Sequence, residues 1–333
     1  MAMKNVSTGH RFGSHLSIAG AMSNAIAEAR TLGFETVQVF VKNQRQWNAT
    51  PFKPDDLKLW HATREEGGFG PIVAHATYLI NLASADDELA AKSRDAFAEE
   101  LLRCDELTIP YLVVHPGAAV GQEPAAAIAR VGESLNHIFE RHPQIRCMPL
   151  LETTAGQGST LGRTFEELAG MIAATREAQR VGVCVDTCHV FAAGYDIRDA
   201  AQYEAMIQLA AKTVGIERIR CWHLNDSKGD LGSRIDRHEH IGLGKIGEAG
   251  FAHVVNDRRF LGKPMILETP KEENAKGVAW DTINLQRLRA LASGADPRPA
   301  ASGPDPVAAK PKRASRQTST APKRGRTRRS ARP

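Results

Sequence analysis

Ile219-Arg-Cys-Trp-His-Leu-Asn-Asp-Ser-Lys-Gly-Asp-Leu-Gly-Ser-Arg-Ile-Asp-Arg-His238 starts as an apolar run, Ile219–Trp222, and turns polar at His223. Small and charged loop residues follow, and the stretch closes on Asp236-Arg-His238. Asp236 and His238 lie two apart, so in extended chain both side chains project to one side and can share a cation. His223 is a loop length away and can serve a second. Taken alone, the stretch also reads as a polar surface loop with two ordinary histidines. What it offers is a unit to look for elsewhere: a short strand that ends on a metal-ligand residue.

That unit recurs. Eight short apolar, β-branched runs punctuate the chain: Phe12–Leu16, Thr36–Phe40, Pro71–His75, Tyr111–His115, Cys147–Glu152, Val181–Asp186, Ile219–His223 and Met265–Glu268. Segments of helical period separate most of them: Ala21–Leu32, Ala85–Leu107, Ala125–Arg141, Phe165–Ala178, Ala200–Val214 and Glu248–Val255, with Asp281–Leu291 closing the series. Strand alternating with helix is the pattern of a parallel sheet, and eight such units predict a (β/α)8 TIM barrel. Local signals agree: Ser84 with Asp87 and Thr164 with Glu167 read as capping boxes, and Gly33 stops the first helix.

Six of the runs terminate on a residue able to bind a metal: His75, His115, Glu152, Asp186, His223 and Glu268. With 12 His and 38 Asp plus Glu in 333 residues, six such ends among eight arise by chance on the order of once in a few thousand. A barrel opens all its strand C-termini onto one face, so these scattered residues converge. His189, three residues after Asp186, joins Asp236 and His238 to make nine candidates. A catalytic zinc takes about three protein groups and keeps a place for water, so nine fit three ions with one carboxylate shared. Imidazoles mixed with carboxylates suit zinc or manganese better than calcium.

Composition divides the chain. Of 43 Lys and Arg and 38 acids, eleven bases and one acid, Asp305, fall in residues 297–333, so the tail carries about +10 and the body about −5. Residues 1–292 are expected to form the barrel domain, and 293–333, rich in Ala, Pro, Ser, Lys and Arg, a disordered arm for a polyanion. Cys104, Cys147, Cys184, Cys188 and Cys221 are odd in number and sparse, and read as reduced, buried thiols of a cytosolic protein. Cys184 and Cys188 lack the usual spacing of a zinc pair. No long apolar run suggests a signal peptide or membrane span, so the expected location is the cytoplasm, at the nucleoid if the source is bacterial.

Five longer motifs carry a resemblance. They are Val181-Gly-Val-Cys-Val-Asp-Thr-Cys-His189, His223-Leu-Asn-Asp-Ser-Lys228 through Asp236-Arg-His238, Leu151-Glu-Thr-Thr-Ala-Gly-Gln-Gly158, Tyr78-Leu-Ile-Asn-Leu82 and Lys42-Asn-Gln-Arg-Gln-Trp47. From Gly13 to Ile283 the chain resembles the endonuclease IV family, the zinc-dependent apurinic/apyrimidinic endonucleases of base-excision repair. The resemblance implies three Zn2+ per chain, with Mn2+ possible in some sites. His75 and His115 would hold one ion, with Glu152 bridging to a second; Asp186, His223 and Glu268 would complete that second site; His189, Asp236 and His238 would hold the third. It implies that Arg45 and Gln46, after the second strand, and Tyr78 and Leu79, after the third, enter the minor groove of double-stranded DNA beside an extruded abasic nucleotide. Flipping a residue without a base costs little unstacking, and a planar Arg or Tyr can fill the gap.

The implied reaction is hydrolysis 5′ to the abasic site, leaving a 3′-hydroxyl and a 5′-deoxyribose phosphate, with Glu152 as the catalytic bridge. Removal of blocked 3′ ends would be a second activity, and a monomer suits an enzyme that must wrap a duplex. Two rivals stand. A TIM-barrel sugar isomerase or epimerase also uses a Glu, Asp, His, Glu quartet, but needs neither the third site nor the Arg45 loop. A non-catalytic DNA-binding protein would have no use for nine ligands. The short lead and the basic tail depart from the family, and the tail's role is not inherited; its Lys and Arg runs also resemble nuclear addresses. Neutralised phosphates release counterions, so truncation at residue 293 is expected to weaken binding to undamaged duplex and flatten its salt dependence. Equal salt slopes for full-length and truncated protein would remove the DNA-arm idea.

Overall fold

A computed structural model describes residues 9–66 and 68–293. The tail expected from 293 onward lies, past Ser293, outside the described residues.

Eight parallel strands close into a barrel: β1 (Arg11–His15), β2 (Thr36–Phe40), β3 (Val73–His75), β4 (Tyr111–Val114), β5 (Met148–Glu152), β6 (Gly182–Asp186), β7 (Ile219–His223) and β10 (Pro264–Leu267). A short antiparallel pair, β8 (Asp226–Ser227) and β9 (His238–Glu239), stands outside it. The helices are α1 (Ser23–Leu32), α2 (Pro54–Glu65), α3 (Asp87–Glu106), α4 (Pro124–Arg141), α5 (Phe165–Ala173), α6 (Thr187–Ala193), α7 (Ala200–Thr213), α8 (Gly247–Asn256) and α9 (Trp280–Ser293). None among the described residues is long and apolar enough to cross a membrane. All five cysteines are buried and free.

Local chemistry explains most boundaries. Gly33 takes the left-handed conformation (φ 89°) that ends α1, a position a side chain would strain. Thr164 caps α5 by accepting from the Glu167 N–H, and Glu167 reaches back to the N–H groups of Gly162 and Arg163. The expected Ser84–Asp87 box is corrected: Asp86 is the cap of α3, accepting from Leu89 N–H at 2.8 Å, and Ser84 Oγ accepts from Asp86 N–H in the turn before it. Two helices were not expected from apolar periodicity. In α2 only Trp60 is buried, so its apolar stripe is too thin to show a period. α6 is a short helix capped by Asp186, which accepts from His189 N–H at 3.0 Å.

The barrel interior decides where the site lies. Val73, Val113, Leu150, Cys184, Cys221 and Ile266 are fully buried and form a cluster separate from the larger core under the helices. Side chains alternate across a strand, so the residue two further on points the same way. Those residues are His75, His115, Glu152, Asp186, His223 and Glu268. The six strand-end candidates therefore continue the inward-facing rows above an apolar plug. Gly13 belongs to the same plug: a Cβ there would meet Thr36 Cγ2 at 2.7 Å, Ile266 Cδ1 at 2.8 Å and the Thr36 carbonyl at 2.8 Å. Two residues beyond Gly13 and Thr36 stand His15 and Gln38.

Because a backbone carbonyl is among those contacts, a methyl at Gly13 overpacks the barrel. Gly13→Ala is expected to cost about 1–3 kcal/mol, lowering Tm by roughly 2–4 °C per kcal/mol. Scanning calorimetry measures it, and an unchanged Tm would show that the β1–β2 seam yields without cost.

Candidate metal centre

The nine expected ligands gather at the C-terminal mouth of the barrel in three groups, within each of which the ligand atoms lie within 4.8 Å of one another. In the first, His75 Nε2 and His115 Nε2 lie 3.2 and 3.0 Å from Glu152 Oε2. In the second, His223 Nδ1 lies 2.9 Å from Glu152 Oε1, 3.2 Å from Glu268 Oε2 and 3.8 Å from Asp186 Oδ2. In the third, Asp236 Oδ1 is 3.3 Å from His189 Nε2 and 3.4 Å from His238 Nε2. Glu152 turns one carboxylate oxygen to the first group and the other to the second.

Local folding presents each side chain. Asp186 caps α6 with Oδ1, which fixes His189 three residues later, and its Oδ2 accepts from Asn225 Nδ2 at 2.7 Å. The loop after β8 is pinned to the end of α6, with Gly232 N–H donating to Phe191 O and Arg234 N–H to Ala192 O. That returns Asp236 to His189. Asp226 holds the far side of the same loop, its carboxylate accepting from the N–H groups of Gly242, Gly244, Ile246 and Gly247. His238 pairs in register with Ser227.

Hydrogen bonds assign the imidazoles. His75, His189 and His238 turn Nδ1 to the carbonyls of Ala76 (2.7 Å), Thr153 (2.8 Å) and Glu268 (3.2 Å). A ring that donates from Nδ1 keeps its Nε2 lone pair for a ligand. Nε2 of His189 and of His238 is buried without a hydrogen-bond partner. His223 is reversed: Nε2 faces Gln38 Oε1 at 2.8 Å, which leaves Nδ1 for the centre. Lone pairs of this kind converging on carboxylates fit divalent cations of zinc type. His15, Gln38, Asn225 and Thr153 had not been expected at the site. Gln38 Nε2 donates to Glu268 Oε1 at 2.5 Å and lies 3.0 Å from His15 Nδ1. The expected first run extends to Leu16, one residue past His15, so the strand-end pattern does not point to it; β1 ends on His15.

Electrostatics bind the cluster together without a metal. Burial opposes ionisation of Glu152, but the imidazoles of His115 and His223 outweigh it and hold the carboxyl well below its ordinary range. Burial likewise opposes Glu268, and His223 and His15 hold it well below. Asp236, despite burial, is pulled to about 2 by His189. Burial disfavours protonated His189, yet Asp186, Asp236 and Glu152 raise its pKa well above the ordinary 6.5. His75 is raised against burial by Glu152.

The DNA-loop candidates lie around this mouth. Arg45, Gln46 and Tyr78 are exposed and Leu79 is half-buried. The Tyr78 ring lies 5.5 Å from His75 and 6.0 Å from His115, so it rims the first group.

A family model described as Xylose isomerase-like TIM barrel matches residues 26–291. The Chloroflexus aurantiacus protein named "Probable endonuclease 4" is 48% identical over 286 residues, 86% of this chain and 99% of the relative. The chain belongs to the endonuclease IV family. Endonuclease IV from Thermus thermophilus, a solved structure, is 39% identical with a TM-score of 0.75, covering 86% of this chain and all of that one. A D-tagatose 3-epimerase-like protein superposes with a TM-score of 0.63 at 18% identity over 86% of this chain and 99% of its own, a likeness of fold alone.

These pKa directions set a pH window for metal-free protein. His189 and His75, raised on folding, contribute stability that is fully present below the ordinary 6.5 and is lost as pH rises through their folded values. Glu152 and Glu268, depressed, contribute stability present above the ordinary 4.5 and lost as pH falls through their folded values. Chelator-treated protein is therefore expected to lose Tm as pH rises beyond neutrality, where Glu152, Glu268 and Asp236 lose the protonated His189 and His75 beside them, and saturating Zn2+ should abolish that loss. A flat Tm across the alkaline range in chelator would contradict the coupling.

Proposed function

We propose that this member of the endonuclease IV family is a Zn2+-dependent endonuclease of base-excision repair. It hydrolyses the phosphodiester 5′ to an abasic site, leaving a 3′-hydroxyl and a 5′-deoxyribose phosphate, and trims blocked 3′ ends with the same centre. The observation that carries the reading is Glu152, whose two oxygens face separate groups of imidazoles and carboxylates, with a third group at His189, Asp236 and His238. Glu152, as a shared carboxylate, suits paired cations, and the third group exceeds what a sugar epimerase needs.

Bound at these nine residues, divalent cations would supply Lewis acidity and a water of lowered pKa. The chain's own contribution is to hold the reacting phosphate in place. Carbonyl-tethered rings keep the imidazoles in one tautomer, so no reorganisation is required when the phosphate arrives. Tyr78 and Leu79 at the rim, with Arg45 and Gln46 on the neighbouring loop, would take the minor groove and the space beside the flipped sugar. The apolar plug beneath the site closes the barrel against water from below.

Elemental analysis of protein purified without chelator should find close to three zinc-like ions per chain, and His238→Ala should lose one selectively. Glu152→Gln keeps shape but removes the charge shared by two groups. Single-turnover incision of an abasic duplex should fall by at least about a hundredfold while duplex affinity changes little. Near-normal incision would take Glu152 out of the chemistry, and a product lacking a 3′-hydroxyl would indicate lyase cleavage instead.

A further inference from the structure

The loops bearing Arg45 and Tyr78 follow different strands, yet both are fastened to one face of α3. Lys42 and Glu100 form a buried ion pair, with side chains 1% and 0% exposed and Nζ 3.3 Å from Oε1. On the first loop, Lys42 Nζ also donates to the Trp47 carbonyl at 2.7 Å, closing the segment that contains Arg45 and Gln46. On the second, the same Glu100 carboxylate accepts from Thr77 N–H at 3.2 Å and from Thr77 Oγ1 at 3.0 Å; Thr77 immediately precedes Tyr78. Further contacts from that helix face repeat the division. Arg103 donates to the carbonyls of Val41 and Thr50 at 2.8 and 3.0 Å, and Ser93 Oγ accepts from Asn81 N–H at 3.1 Å.

A fully buried ion pair is a weak device for stability, since desolvation consumes most of its attraction and an apolar pair would pack as well. What an apolar pair could not do is satisfy the Trp47 carbonyl and the Thr77 N–H simultaneously. We infer that Glu100, together with Lys42, is a positioning residue for lesion recognition, clamping the Arg45–Gln46 loop and the Tyr78–Leu79 loop to α3 so that they meet DNA as one unit. This rests on the assignment of those loops to DNA. Its mechanistic content is that the two contacts are energetically coupled: with the clamp intact, losing one loop's contact already misplaces the other.

The test uses full-length, zinc-loaded protein, a duplex with a single tetrahydrofuran abasic analogue and the matching intact duplex. Arg45→Ala and Tyr78→Ala are combined in a double-mutant cycle, read both as Kd by fluorescence anisotropy and as KM for incision. In the wild-type background the two changes should be non-additive; in Glu100→Gln they should become additive within about twofold. Glu100→Gln should also raise KM for the abasic duplex about tenfold and lower the preference for abasic over intact duplex, with turnover at saturating DNA and metal content kept within about twofold. Thr77→Val, which removes a single hydroxyl contact, should act in the same direction, and it carries the test if Glu100→Gln does not fold. Unchanged non-additivity and unchanged preference in these variants, or a fall in turnover with KM constant, would overturn the clamp. Absence of chelator-sensitive incision by the wild type would instead count against the nuclease reading, and the anisotropy cycle would still decide the clamp.

Discussion

Everything at the mouth of this barrel depends on strand alternation inside a closed parallel sheet. Once Val73, Val113, Leu150, Cys184, Cys221 and Ile266 fill the axis, the next inward positions of the same strands have nowhere to point but toward one another. Those positions are ionisable, and with His189 on α6, Asp236 in the loop before β9 and His238 on β9 the result is a cluster of five imidazoles and four carboxylates. Desolvation alone would neutralise such groups. Glu152 and Glu268 are held ionised against it by the imidazoles beside them, His115 and His223 for the first and His223 and His15 for the second.

The precision of the centre comes from neutral groups. Backbone carbonyls of Ala76, Thr153 and Glu268 hold three rings by Nδ1, and Gln38 turns His223 the other way. A ring fixed by its Nδ1 keeps its Nε2 aimed at the centre. Strand-bound ligands inherit the stiffness of the sheet. His189, Asp236 and His238 do not lie on barrel strands, and the Asp186 cap, the Gly232 and Arg234 backbone bonds and the β8–β9 pairing supply the equivalent restraint.

Sugar epimerases share this architecture, as the 18% identical neighbour shows, so the fold does not choose between an epimerase and a nuclease. Around the Glu152, Asp186, His223 and Glu268 group this chain brings a further cluster of His189, Asp236 and His238, and its Lys42 and Thr77 are tied to Glu100 of α3.

The sequence by itself determined the barrel and most of the centre, because both follow from short-range periods. A strand that ends on His, Asp or Glu announces a candidate ligand wherever its partners lie, and Asp186-Thr-Cys-His189 carries its own cap. Only the tertiary structure decided the pairings across long separations: which oxygen of Glu152 faces which group, why His223 uses Nδ1, and how Gln38 reaches Glu268. The same holds for Glu100, which in the sequence is one acid on a helix and in the fold joins Lys42 to Thr77. α2 escaped notice because its single buried Trp60 makes no periodic stripe. The Ser84 cap was misplaced because Ser84, Asp86 and Asp87 offer equivalent local signals. Periodicity is written within a few residues and can be read there; which side chains meet depends on barrel closure and strand register, quantities no local stretch contains.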